Sequence, residues 1–257
     1  MKKVIMFDLD GTLAPSKSPL PDRMSAALSQ LLEKYPVCVI SGGKFGQFEK
    51  QLLANLHADE GQLANLHLMP TCGTQYYRYD ATSKEWHREY AELIDDDGKK
   101  RIISALNKGF EDLGHKAAKA YGPVIEDRES QITYSVLGQD IVDELGDEGL
   151  RLKHEWDPDS SKKQALRDYI APLIPDFEVR VGGVTSIDVT MPGIDKAYGT
   201  QKLMDMLHVE KEDLLFIGDR LQEGGNDYPV KAMGVDSLEI SNWEETAILI
   251  EGILHVS

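Results

Sequence analysis

The first half of the chain switches repeatedly between two hydrophobic periods. Lys3–Phe7 is a short, mostly apolar run of the kind that forms a buried strand. Residues 21–35 then put Met24, Leu28, Leu31, Leu32 and Tyr35 at helical spacing, with Pro21 suited to the helix start and Pro36 ending it. "VCVI" at 37–40 reads as a second buried strand, and "LHLMP" at 66–70 as a third. Between them, residues 44–56 carry Phe45, Phe48, Leu52 and Leu56 on one helical face. Such alternation with short connections implies a parallel sheet covered by helices.

Near residue 80 the pattern changes. A helix is expected over 94–114, strand-like pieces around 123–138, and a helix over about 160–173 with Ser160 or Ser161 as N-cap. Strands at 177–183 and 185–191 follow, and 138–149 reads as a solvated acidic segment. Alternation of helix and strand resumes with a helix at 196–207, a strand at 214–218 and a closing helix near 243–255. The expected fold is therefore α/β: a Rossmann-like parallel-sheet core from residues 1–82 and 191–257, with an α+β domain inserted at 83–190.

Composition narrows the chemistry. With 44 acidic against 28 basic residues, the net charge of −16 argues against a nucleic-acid backbone as partner. A small anionic substrate needs only a few local cations and stays open. Two cysteines, Cys38 and Cys72, make neither a disulfide framework nor a zinc spacing, and Cys38 inside "VCVI" reads as a small buried hydrophobe. No apolar run is long enough to span a membrane and the N-terminus lacks a signal-peptide core, so a soluble cytoplasmic protein is expected. The seven histidines are scattered, which speaks against imidazole metal ligation. Trp86, Trp156 and Trp243 read as packing residues, and Asp95–Asp97 as acids at a helix start, where they complement the dipole.

Ligands of open α/β sheets sit beyond the carboxyl ends of the strands. Asp8 and Asp10 end the first strand, Ser41 follows the second, Asp219 follows "LLFIG", and Lys196 opens a helix aimed at the same edge. Carboxylates paired at a strand tip repel one another and are costly to desolvate, so a cation or a reaction should account for them.

"DLDGT", "VISGG", "GIDKAYG" and "GDRLQEGGND", in this order, resemble the four motifs of the haloacid dehalogenase superfamily of phosphotransferases. The resemblance implies that Asp8 is the nucleophile and forms an aspartyl-phosphate, while Asp10 is the general acid and then the base. It implies Mg²⁺ held by Asp8, the backbone carbonyl of Asp10 and Asp219, and a transferring group held by Thr12, Ser41 and Gly42. Lys196 would offset the negative charge, with Asn226 and Asp227 orienting it and the metal-bound water.

The insert and the spacing "GGVTSIDVTMPGIDK" further resemble the C2-capped proteins of subfamily IIB, eukaryotic-type phosphomannomutases among them. That likeness assigns Ser186 and Asp188 to sugar hydroxyls and Arg128 to a distal phosphate, and it carries dimerisation through the cap as a family expectation. The chain departs from the family where Gln139 stands in place of a second phosphate-binding arginine, and Lys116 and Lys119 lie where a third would be. Glutamine cannot match the bidentate charge of arginine, so a bisphosphate is held less well. Without the resemblance, Ser186 and Asp188 read as one solvated strand face, Arg180 as a weak cap candidate and Lys44 as a solvated helix-start residue. The expectation is Mg²⁺-dependent hydrolysis of a small sugar phosphate. A phosphomannomutase-type transfer is the alternative, and a phospho-accepting module without turnover is the rival from another class.

Overall fold

The computed structural model describes residues 2–256. The chain begins with β1 (Val4–Asp8), α1 (Asp22–Lys34), β2 (Val37–Ile40), α2 (Phe45–Gln51), α3 (Glu60–Ala64), β3 (Leu66–Met69), β4 (Gln75–Asp80) and β5 (Glu85–Ala91). The insert contains α4 (Asp96–Asp112), β6 (Ile125–Asp127), β7 (Gln131–Ser135), α5 (Ile141–Leu145), α6 (Asp147–Trp156), α7 (Ser161–Ile170), β8 (Glu178–Val181) and β9 (Ser186–Thr190). It returns through α8 (Lys196–Leu207), β10 (Leu214–Gly218), α9 (Tyr228–Ala232), β11 (Asp236–Glu239) and α10 (Trp243–Val256).

Seven strands form one sheet in the order β11-β10-β1-β2-β3-β4-β5, parallel from β11 to β3 and antiparallel through the β4–β5 hairpin. Strand side chains alternate between faces, and this sheet buries both. Ile5, Phe7, Val37, Val39, Leu66 and Leu68 pack with Met24, Leu28, Leu31 and Leu32 of α1 and with Ala247 and Ile250 of α10. Val4, Met6, Cys38, Ile40 and Phe216 pack on the other side with Leu203 of α8 and Val230 of α9. The core is thus an α/β/α sandwich with a parallel centre, as the alternating periods imply.

The chain divides into two compact units, Met1–Ala91 with Ile194–Ser257 and Glu92–Gly193. The boundary expected at 82/83 would fall in the turn of the β4–β5 hairpin. Six paired positions from Gln75–Ala91 to Asp80–Glu85 keep β5 in the first unit instead. The second unit is an antiparallel sheet, β6-β7-β9-β8, with α4 and α7 on one face. Its core holds Ile132, Tyr134, Ile187 and Val189 against Ile102, Leu106, Phe110, Leu166 and Ile170. Trp86 and Trp243 pack against the first core and Trp156 against this one.

Two local expectations need correction. Residues 138–149 are not a solvated segment, since Ile141 is fully buried and anchors α5, and the backbone of Gly149 in α6 lies against the Ile141 carbonyl. Ser160 stands at the N-cap position of α7 in the left-handed region and makes no capping bond. The capping acceptors are carboxylates ahead of the helix: the buried Asp157 takes the Lys162 and Lys163 backbone N–H groups at 3.1 Å each, and Asp159 takes that of Ser161 at 3.0 Å. The hairpin, α3 and β11 were not anticipated. Among the described residues, no helix is long and apolar enough to cross a membrane.

One buried histidine makes the fold acid-sensitive. His67 of β3 bonds the Tyr76 hydroxyl through Nδ1 at 2.8 Å, with the Arg78 guanidinium against its ring. Burial, and then the Arg78 charge, depress its pKa to about 3. The folded pKa lies below the unfolded one, so the unfolded chain takes up the proton first and stability is lost as pH falls below about 6.5. Urea unfolding at pH 7 and pH 5 should show about 2 kcal/mol of loss from this group, and His67→Gln should remove that part of the pH dependence.

Candidate active site

β1, β2 and β10 are parallel neighbours, so their carboxyl ends lie side by side. Asp8 closes β1, Ser41 follows β2 and Asp219 follows β10. Strand parity sends Asp8 to the same face as Val4 and Met6, the face covered by α8. Lys196 is the first residue of α8, whose N-cap Asp195 accepts the Tyr198 N–H at 3.0 Å. The helix is set close to the loop after β3 by two glycines. A Cβ on Gly73, which has φ +86°, would stand 2.4 Å from the Gly199 Cα, and one on Gly199 would meet the Cys72 carbonyl at 2.6 Å.

From that position the Lys196 ammonium donates to Asp8 Oδ1 and to Asp227 Oδ1, each at 2.5 Å. The three side chains are 1%, 5% and 0% exposed. Asp227 Oδ2 accepts the Arg220 backbone N–H at 3.0 Å and fills the space where a Cβ on Gly218 would be, 2.5 Å away. Burial works against the lysine charge, yet the fields of Asp8 and Asp227 outweigh it and hold the ammonium above the usual lysine range. Burial pushes Asp8 up to about 7; Lys196 opposes this and the Asp227 charge adds to it.

Asp219 completes a group of three carboxylates. One oxygen from each of Asp8, Asp219 and Asp227 lies within 4.8 Å of the others. Gly11, with φ +85°, lets the chain turn against Asp219, since a Cβ there would stand 2.6 Å from Oδ2. The Asp219 carboxyl is pushed up by its burial and then by the Asp227 charge. Crowded hard oxygens that repel one another are a donor set suited to a hard divalent cation. Among the described residues, this acidic group contains no histidine. Asp227, expected behind the metal ligands, thus stands among the carboxylates themselves. Thr12 Oγ1 is buried with no partner, an orphaned donor that a phosphoryl oxygen would satisfy. Ser41 is also buried, and its Oγ accepts the Gly43 N–H at 3.1 Å, with Gly42 between them.

Asp10 is oriented differently from Asp8. Its carboxylate bonds to the Lys17 backbone N–H at 2.7 Å, to Gln47 Nε2 at 2.7 Å and to Gln51 Nε2 at 3.2 Å. Sequence reasoning did not single out Gln47 and Gln51. Their signal was present, two amides one turn apart on a helix that otherwise buries Phe48 and Leu52.

The remaining candidates belong to the second unit. Glu126, Thr133, Asp188 and Arg180 are cross-strand partners in one row, on the face opposite the apolar core. Thr133 donates to Asp188 Oδ1 at 2.7 Å, and Ser186 pairs with Ser135 in an adjacent row. Arg128 donates Nε to Glu126 at 2.8 Å, and Arg180 pairs with Glu178 at 2.7 Å. Gln139 Nε2 is buried without a partner. Lys116 pairs with Glu111 at 3.1 Å, and the Lys119 ammonium lies 4.3 Å from the Tyr121 ring centre. Asn226, in the first unit, precedes Asp227 in the loop between β10 and α9.

Comparison with known proteins places this geometry in context. The family model described as haloacid dehalogenase-like hydrolase matches residues 5–229. The phosphomannomutase of Encephalitozoon cuniculi is 26% identical over 261 residues, covering 95% of this chain and 91% of its own. Among solved structures, an N-terminally truncated, IMP-bound IMP-nucleotidase of Plasmodium falciparum aligns with a TM-score of 0.68 at 19% identity, over 99% of this chain and 68% of its own. A haloacid dehalogenase-like hydrolase from Bacteroides thetaiotaomicron aligns with a TM-score of 0.59 at 15% identity, over 98% and 100%. These two likenesses establish the fold.

Removing the ammonium leaves two buried carboxylates facing each other, so Lys196→Met should cost about 3–5 kcal/mol in urea unfolding. A cation in the carboxylate group should stabilise the fold. Mg²⁺ at one hundred times its Kd should add about 2.7 kcal/mol, read from the rise in Tm, and Asp219→Asn should diminish that rise.

Proposed function

We propose, from the premise that this chain belongs to the haloacid dehalogenase-like hydrolase family, that it moves the phosphoryl group of a small sugar phosphate through Asp8, with water as the acceptor. The observation that carries the reading is the buried Asp8–Lys196–Asp227 bridge beside Asp219. It keeps a carboxylate oriented where anionic charge can be offset on several sides.

In the first half-reaction an Asp8 oxygen bonds to phosphorus while the bond to the sugar oxygen breaks, and Asp10 gives that oxygen its proton. In the second, water attacks phosphorus and yields its proton to Asp10. The bond to Asp8 then breaks and inorganic phosphate leaves. Lys196 offsets charge on the phosphoryl oxygens throughout, Thr12, Ser41 and Gly42 hold them, and Asn226 and Asp227 orient Lys196. The carboxylates of Asp8, Asp219 and Asp227, with the Asp10 carbonyl that the family resemblance implies, would hold Mg²⁺, which would neutralise the phosphoryl charge that repels an attacking carboxylate. The inserted unit, in the cap role, selects the sugar through Ser186, Asp188 and Arg128.

Hydrolysis is favoured over mutase transfer by the charge balance of the insert. A mutase must retain a bisphosphate intermediate, and each of Arg128 and Arg180 already has a glutamate partner. Gln139 adds an amide in place of a cation. The mutase reading keeps one specific support, the similarity to the E. cuniculi phosphomannomutase over nearly the whole chain.

Phosphorus NMR with Mg²⁺, mannose 1-phosphate and a trace of hexose bisphosphate separates the two. Inorganic phosphate alone is expected, whereas a growing 6-phosphate ester signal identifies a mutase. Asp8→Asn should lower either activity by roughly three orders of magnitude or more, and turnover near wild type would remove Asp8 as the nucleophile.

A further inference from the structure

We propose that Gln47 and Gln51 are positioning residues for the Asp10 carboxylate, fixing it for proton transfer to and from the substrate oxygen. The inference rests on the assignment of Asp10 as proton carrier and adds to it the pair of residues that aim it. The two amides lie four residues apart on one side of α2 and reach the same carboxylate from both of its oxygens. Gln47 Nε2 donates to Oδ2 at 2.7 Å, and Gln51 Nε2 donates to Oδ1 at 3.2 Å.

The pair is also internally braced. Gln47 Nε2 donates to Gln51 Oε1 at 3.0 Å, and Gln51 Nε2 to the Pro15 carbonyl at 3.4 Å. Each amide nitrogen therefore has two acceptors for its two hydrogens. Gln47 Oε1 occupies the space over Gly43, where a Cβ would stand 2.1 Å from it, so the same side chain abuts the loop that presents Ser41. Gln51 is only 3% exposed on a helix whose neighbours Phe48 and Leu52 are fully buried hydrophobics. Burying an amide there is unfavourable unless its bonds compensate, and a leucine would serve packing alone.

The geometry restricts what these residues can affect. Asp10 cannot turn about its last bond without breaking a contact at each oxygen. None of the hydrogen bonds described for the pair reaches Asp8, which is held from the opposite layer by Lys196. Proton transfer requires the carboxyl oxygen within about 2.6–3.2 Å of the leaving oxygen. An error of about 1 Å in placement costs on the order of a hundredfold. Loosening the pair should thus impair the proton-dependent part of catalysis and spare nucleophilic attack.

The test uses esters that differ in their need for a proton. Gln47→Met and Gln51→Met keep length and bulk while removing the donors. The burst of alcohol released with formation of phospho-Asp8 is measured with glucose 6-phosphate, whose alkoxide leaves poorly, and with p-nitrophenyl phosphate, whose leaving group departs unprotonated. The expected result is a loss of about thirtyfold or more on the sugar ester against about threefold or less on the aryl ester, with KM little changed. Equal losses on both esters, or no loss on either, overturn the proposal. Gln47 is only partly buried, so its variant keeps the test valid if Gln51→Met does not fold. Wild-type turnover that survives Asp8→Asn would instead remove the underlying reaction scheme, an outcome separate from the comparison of the two esters.

Discussion

A lysine ammonium with almost no exposure to water organises the catalytic end of this molecule. An isolated charge in such a place costs several kcal/mol, and two carboxylates brought equally deep would repel each other. Lys196 between Asp8 and Asp227 resolves both problems at once, because each group supplies what desolvation removes from the others. The three come from the end of β1, the start of α8 and the loop beyond β10, so the bridge fastens together segments distant in sequence. It also determines what else can sit nearby: Asp219 adds a further negative group, and the local balance then invites a cation.

The sheet makes that arrangement reachable. Parity along β1 gives Ile5 and Phe7 to the α1 and α10 layer, and Val4, Met6 and Asp8 to the α8 layer. Once the strand ends, Asp10 escapes this rule and is taken by α2, whose Phe48, with Leu52 just beyond the helix, belongs to the first layer. Two aspartates separated by one leucine are therefore held from opposite sides of the sheet. The proposed nucleophile, Asp8, and the proposed proton carrier, Asp10, thereby receive different surroundings without being separated along the chain.

Much of this was readable in the sequence, for definite reasons. Short apolar runs ending in Asp8, Ser41 and Asp219 specify parallel strands with polar tips, and the resemblance to the family motifs implies the chemistry proposed for them. The periodic helices are equally plain, since Met24, Leu28, Leu31 and Leu32 leave little choice of face. What escaped lacks a local signature. The acid-rich stretch around Ile141 looked solvated because its helices bury few side chains. Asp157 caps α7 from outside the positions where a cap is sought. The β4–β5 hairpin alternates tyrosines with charged residues and so resembled the insert. Glu126 neutralises Arg128 across two residues of backbone, a contact that no motif anticipates. Gln47 and Gln51 act on a side chain some forty positions before them, and pairings of that span appear only once the sheet is assembled.

The contact between Gly73 and Gly199 carries an evolutionary consequence. The atoms nearest a Cβ at either position belong to Met69, Cys72, Ile40 or the other glycine rather than to a carboxylate, and alanine at position 199 suits a helix better than glycine does. The backbone approach leaves no room for the extra methyl group, so the helix would have to withdraw and carry Lys196 with it. A change that improves local helix propensity would thereby spoil the site at a distance. Both positions should be among the least variable in the lineage of this protein, though nothing in their own chemistry marks them as functional.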